Sequence, residues 1–231
     1  MNRSHVNTPV ILWLASYPRS GSTICRLVMQ QCFGLGSYSD QGNGTERSIL
    51  GFGEERGLLE FEGSWEAFYE QASADRALHL VKTHLPPRDD QPAIVVMRDP
   101  RSALCSYHHF LQDYWKHDRF TLEQVVRGEV GYGDLIEFYR KWMSRPAGTT
   151  LLVRYHELVD LGVATVNRLA AFTGLEPGEI RPVEFDALKA ASPSFFRSGK
   201  TSWSGDPEWT EEVEEVFRER FAPEVRRFGQ L

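Results

Sequence analysis

Arg19-Ser20-Gly21-Ser22-Thr23 follows closely on the apolar run at residues 10–14. Strand, tight turn and helix start, in that order, make a cradle for an anion. A helix N-terminus presents unpaired N–H groups and a partial positive charge, so Gly21, Ser22 and Thr23 can donate backbone and hydroxyl hydrogen bonds. Arg19 adds a forked full charge just ahead of them. A plain turn at a strand end would use Pro18 and Gly21 equally well. The segment is not the G-x-x-x-x-G-K-[ST] loop of nucleoside triphosphatases, because no lysine follows Gly21. Two further charged clusters share its setting: Lys82-Thr83-His84 ends a second apolar run, and Arg98-Asp99-Pro100-Arg101 ends a third. Open α/β sheets bind ligands at the carboxyl ends of their strands. Solvated surface accounts poorly for three such clusters.

The elements that must position these groups are legible as runs. Four β-rich stretches, 10–14, 77–82, 93–97 and 149–153, are mostly continuous rather than alternating, which implies burial on both faces. Helices are expected at 23–32, 65–72, 101–114, 121–143, 161–172 and 209–221. Strands alternating with helices predict an α/β fold, a parallel sheet with helices on both sides. Thr121 with Gln124 forms a capping-box candidate, and Asp206-Pro207 offers an N-cap and first-turn proline for the last helix. Residues 34–63 are rich in glycine and read as a long mobile loop or lid, and 1–8 as a polar tail. With no internal repeat, linker or boundary, residues 1–231 read as one domain.

Composition narrows the partners. The chain has 231 residues, 41% of them hydrophobic, and a net charge of −6, which suits a globular core and not a duplex nucleic acid or an anionic bilayer. No apolar run approaches the roughly 20 residues of a membrane span. Three cysteines without a Cys-x-x-Cys pair point to reduced thiols, and with no signal peptide in view, to the cytoplasm. Asp206 through Glu219 holds seven acidic residues and one basic, which equals the whole net charge. The acidity therefore reads as the solvent face of one helix. Arg19, Lys82, Arg98, Arg101 and Arg197 can then converge as a compact cationic pocket. His108 and His109 are neighbours on a predicted helix and complete no metal-ligand pattern, so no metal is expected.

Taken together the motifs resemble the sulfotransferase family, which uses 3′-phosphoadenosine 5′-phosphosulfate (PAPS) as sulfuryl donor on a three-layer, P-loop NTPase-like fold. Tyr17-Pro18-Arg19-Ser20-Gly21-Ser22-Thr23 resembles the family's 5′-phosphosulfate loop, YPKSGTTW, and Lys82-Thr83-His84-Leu85-Pro86 its KTHLP segment. Arg98-Asp99-Pro100-Arg101 followed by Ser106-Tyr107-His108-His109-Phe110 is similar to the 3′-phosphate site, RNPKD…SYYHF. Tyr155-His156-Glu157-Leu158 resembles YEDL, whose tyrosine lies by the adenine, and Phe196-Arg197-Ser198-Gly199 with Gly205-Asp206 the late RKG…GDW region. There are departures: Arg19 stands for the usual lysine, Ile24 for the adenine-stacking tryptophan, and Ser198 for a lysine that Lys200 would have to replace.

The resemblance implies in-line sulfuryl transfer to a hydroxyl or amine of a small-molecule or glycan acceptor, with 3′,5′-bisphosphoadenosine as product. Arg19 and Lys82 would hold the phosphosulfate oxygens and His84 would be the base. Ser20, Gly21, Ser22 and Thr23 would cradle the 5′ end, Arg98 and Ser106 the 3′-phosphate, with Tyr155, Arg197 and Gly199 closing over the nucleotide. Such chemistry needs no metal, since fixed cations stabilise the leaving oxygen. The competing expectations are a P-loop kinase using ATP and Mg²⁺ and a catalytically inactive nucleotide-binding protein on the same fold. Acceptor-pocket walls are sought among Phe52, Phe61, Trp65, Tyr114, Trp115 and Phe120, with ordinary core packing as the other reading of these aromatics.

Overall fold

The computed structural model describes residues 11–51, 53–115, 119–193, 195–196 and 201–228. Its elements run β1 (Ile11–Ser16), α1 (Ser22–Phe33), β2 (Ser37–Ser39), α2 (Gly44–Leu50), a 3₁₀ turn (Glu54–Arg56), α3 (Trp65–Ala74), β3 (His79–Thr83), β4 (Ala93–Met97) and α4 (Pro100–Trp115). They continue with α5 (Leu122–Arg127), α6 (Leu135–Met143), β5 (Thr150–Arg154), α7 (Tyr155–Val159), α8 (Val163–Thr173), α9 (Phe185–Ala191) and α10 (Glu211–Phe228). Five strands pair in the order β2-β3-β1-β4-β5, every pair parallel. The expected α/β sheet is present, with β2 added at its edge.

β1 is buried along its whole length, and its alternate side chains feed two separate cores. Ile11, Trp13 and Ala15 pack with residues of α4, α5, α6 and α10, while Leu12 and Leu14 pack with those of α1, α8 and α9. Continuous apolar strands thus mark a sheet covered on both sides. The three cysteines are buried and unbridged, and burial pushes the Cys25 thiol up to about 12. Among the described residues no helix is long and apolar enough to cross a membrane.

Three expected elements differ. The stretch 34–63 is not a bare loop: it carries β2, α2 and the 3₁₀ turn. The helix expected at 121–143 is two helices. Thr121 and Gln124 do form the capping box, but Gly128 ends α5 in the left-handed region, φ 75°, where a Cβ would lie 2.6 Å from Asp134 Cα. Asp134 then caps α6, accepting from Glu137 N at 2.9 Å. Lastly, Asp206 does not cap the final helix, which begins at Glu211. One Asp206 oxygen accepts from Glu208 N and the other meets His109 Nε2, so the residue builds a turn against α4.

Candidate active site

β1 delivers the chain to a turn in which Arg19 has φ 65° and Gly21 φ 111°. Gly21 is the N-cap of α1 and supplies no side-chain cap, so the first N–H groups of α1 keep their donors for an incoming acceptor. The turn is tight. A Cβ on Gly21 would sit 2.6 Å from Tyr155 Cδ2. Gly21→Ala should therefore destabilise the fold by about 1–3 kcal/mol, from left-handed strain and displacement of Tyr155. Thermal unfolding would measure the loss.

Gly21, Ser22, Thr23, Arg19, Lys82, His84, Arg98 and Tyr155 line one cavity of about 200 Å³. Ser20 does not reach it. Its side chain is buried beneath the turn, whose backbone closes through Ser20 N to Tyr17 O at 3.1 Å. Arg19 forms one wall: its Nε donates to Ser106 Oγ at 3.1 Å, its Nη2 donates to Phe195 O, and its guanidinium lies 4.0 Å from the Phe195 ring centroid. Burial and nearby Arg98 lower its pKa to about 10, which leaves it cationic at neutral pH.

β3 ends by presenting Lys82 and His84. His84 Nδ1 lies 2.6 Å from the carbonyl of Ser16, at the end of β1. A carbonyl can only accept, so Nδ1 carries the proton and Nε2 keeps the lone pair. Burial, then the neighbouring Lys82 ammonium, push the His84 pKa down to about 3, and the ring is neutral. Tyr132 meets it edge-on at 5.2 Å between ring centroids, and its hydroxyl donates to Gln41 Oε1. Sequence reasoning missed Tyr132. It was hidden inside an expected helix, and the break after Gly128 is what brings it here, with Tyr132 N donating to Tyr107 Oη at 3.2 Å.

Glu46 was also missed, in the stretch read as loop. Its Oε1 lies 3.1 Å from Lys82 Nζ and its Oε2 accepts from Arg26. Burial raises its pKa, but Lys82 and Arg26 outweigh that and hold it at about 2.

Arg98 and Ser106 meet at a second, adjoining cavity of about 330 Å³, which Arg19 and Tyr155 also line. Arg98 Nη1 donates to the carbonyl of Arg19 at 3.1 Å, and its guanidinium stacks 4.5 Å over the Tyr155 ring. Ile24, which stands where the family pattern has tryptophan, lines the first cavity, and Phe195 and Phe196 border both. Arg197, Ser198, Gly199 and Lys200 lie outside the described residues. Arg101 does not join the cationic cluster. It makes two bonds to Glu214, at 3.0 and 2.7 Å, and stacks on Phe217 of α10. Glu214 also takes a bond from Trp209 Nε1, so the acidic helix face is partly an inward tether.

His108 and His109, neighbours on α4, both turn toward Glu208. His108 Nδ1 lies 2.7 Å from Glu208 Oε2 and its Nε2 2.9 Å from Phe120 O, while His109 Nε2 lies 3.0 Å from Asp206 Oδ2. The bonds to Glu208 and Asp206 fasten the 206–208 turn to α4, and the one to Phe120 ties α4 to the chain ahead of α5. Phe61 and Trp65 pack with Phe68 and Trp13 away from the cavity, whereas Tyr114 packs with Phe110 and Phe195 beside it, and Phe52 and the Trp115 side chain lie outside the described residues.

A parallel sheet with an uncapped helix N-terminus and three cations at its carboxyl edge is the build of a protein that grips phosphate-like groups. The chain belongs to the sulfotransferase domain family, which matches residues 10–229. It is 24% identical over 181 residues to Sulfotransferase 4A1 of Mus musculus, a match covering 72% of this chain and 61% of that protein. With 3-alpha-hydroxysteroid sulfotransferase of Cavia porcellus it shares 28% over 155 residues, 62% of this chain and 53% of that one. The chain thus spans less than two thirds of the length of these relatives. In fold it is similar to mouse sulfotransferase SULT7A1 complexed with PAP (TM-score 0.65, 18% identity, 94% of this chain and 86% of that one). Retinol dehydratase in a complex with retinol and PAP gives 0.59 at 18% identity, over 92% and 81%.

Proposed function

We propose that this protein transfers a sulfuryl group from PAPS to a hydroxyl or amine of a small-molecule or glycan acceptor. The observation that carries the reading is His84: a neutral ring, fixed by Ser16 through Nδ1, with Nε2 as its lone-pair nitrogen in a cavity that Arg19 and Lys82 also line. A nucleotide with a 3′-phosphate and a 5′-phosphosulfate fits two adjoining cavities that share Arg19 and Arg98. The α1 N–H groups and Arg19 would hold the 5′ end, Arg98 and Ser106 the 3′-phosphate, and Tyr155 with Ile24 the base.

In the reaction the acceptor oxygen or nitrogen bonds to sulfur while the bridging P–O–S oxygen leaves with the bisphosphate. His84 Nε2 takes the acceptor's proton. Arg19 and Lys82 face the charge that grows on the departing oxygen, and because they are already in place they need no reorganisation. The cavity is small and partly aromatic, with Tyr132 beside His84 and Phe110 elsewhere in its wall, which favours a compact acceptor. The comparable retinol dehydratase structures hold retinol or androsterone.

Titration with 3′,5′-bisphosphoadenosine should raise the melting temperature. At a hundredfold excess over Kd the native state gains about 2.7 kcal/mol, which for a chain of this size corresponds to roughly 5–10 °C. ATP with Mg²⁺ should give no comparable shift. A larger shift with ATP–Mg²⁺ would favour a kinase, and a bisphosphate shift without any transfer in a radiolabelled-donor screen of phenols, alcohols, amines and glycans would mark an inactive binder.

A further inference from the structure

Glu46 brings a carboxylate to the cavity wall, which sulfuryl transfer does not call for. A negative charge beside a polyanionic donor weakens donor binding by like-charge repulsion. Its surroundings show what it does instead. Arg26 is 1% exposed and held from every side: its Nε donates to Ser37 Oγ at 2.6 Å, and its Nη2 to Ser37 O at 3.1 Å and Asn43 Oδ1 at 2.8 Å. Asn43 is itself fixed, donating to Leu59 O at 2.6 Å. Arg26 therefore behaves as an immobile cation, and it grips one oxygen of Glu46. The other oxygen, 3.1 Å from Lys82 Nζ, is the one carboxylate contact of that lysine among the described residues.

A lysine head is a point charge on a four-carbon stem with many rotamers, so holding it in one place takes a fixed partner. We propose that Glu46 is the positioning residue for Lys82: anchored by Arg26, it fixes the ammonium beside His84, trading donor affinity for rate. β2 supplies Ser37 and α2 supplies Glu46, so the 34–63 stretch acts as the scaffold of this relay. The inference rests on the sulfotransferase reading.

Glu46→Gln keeps the shape and an oxygen for Arg26 but removes the charge. With the acceptor that the wild-type protein uses in the radiolabelled screen, kcat should fall by about 10–100-fold, the cost of a misplaced reacting group. Calorimetric binding of 3′,5′-bisphosphoadenosine should tighten by several-fold. Glu46→Asp keeps the charge and shortens the reach, so it should hold wild-type nucleotide affinity while losing kcat. It also serves if the glutamine variant does not fold. Opposite movement of kcat and affinity in Glu46→Gln supports the relay. An unchanged kcat overturns it, as does a loss of affinity in proportion to kcat, which is what a merely structural residue would give. A wild-type protein that binds no bisphosphate removes the parent reading and this inference with it, whereas active wild-type protein with an unaffected Glu46→Gln removes this inference alone.

Discussion

His84→Ala should lower kcat by about 10²–10⁴-fold, the range spanned by general-base catalysis, and leave nucleotide affinity near the wild-type value. The separation follows from geometry. His84 meets the Ser16 carbonyl and the Tyr132 ring, and lies at the end of β3 away from the second cavity that holds Ser106. Losing it removes a proton acceptor without removing a cation. Stopped-assay rates and bisphosphate calorimetry on the same preparation measure the two halves, and a variant that loses both equally would show His84 to be a scaffold residue. The pH dependence gives a second handle. kcat/KM reports the free enzyme, and with the His84 pKa pushed down to about 3 the neutral base is already present well below pH 6.5. The acid limb should therefore fall far below the ordinary histidine range. A limb centred near 6.5 would contradict the buried, lysine-flanked ring.

What the sequence made legible was local chemistry. β1, the turn at Arg19 and the start of α1 are contiguous, so residue types alone reveal their order, and the strands beyond are long enough for continuous apolarity to show. β2 is different. Ser37-Tyr38-Ser39 has no apolar run, and its pairing to β3 is supported by Arg26, which binds Ser37 from α1. Tyr132 depends on a break in an apparently continuous helix, decided by the close approach of Gly128 to Asp134. Gly128, Gly131 and Gly133, followed directly by Asp134, were the available signal. Glu46 had none, because its meaning arises from Lys82, which pairs with it only once β3 and α2 are in place. Arg101 erred in the opposite direction: its position in the motif suggested a ligand, but Glu214 and Phe217 claim it from α10.

Arg19→Ala should cost about 10²–10³-fold in kcat/KM, the usual loss for one preorganised donor at a developing charge, and should weaken bisphosphate binding as well. Both effects are expected because Arg19 stands between the two cavities: its guanidinium faces the first while its Nε reaches Ser106 in the second. Arg19→Lys, which restores the residue common in the family, should recover much of the rate as a single mobile charge, but not the simultaneous reach to Ser106 and the stacking on Phe195. The backbone allows these contributions to be separated from stability. At φ 65° alanine is as strained as arginine, whereas Arg19→Gly relieves the left-handed conformation. Arg19→Gly should therefore be as inactive as Arg19→Ala yet melt at a higher temperature. Equal melting points for the two would mean that the turn is not strained at this residue, and full activity in either would remove Arg19 from the site.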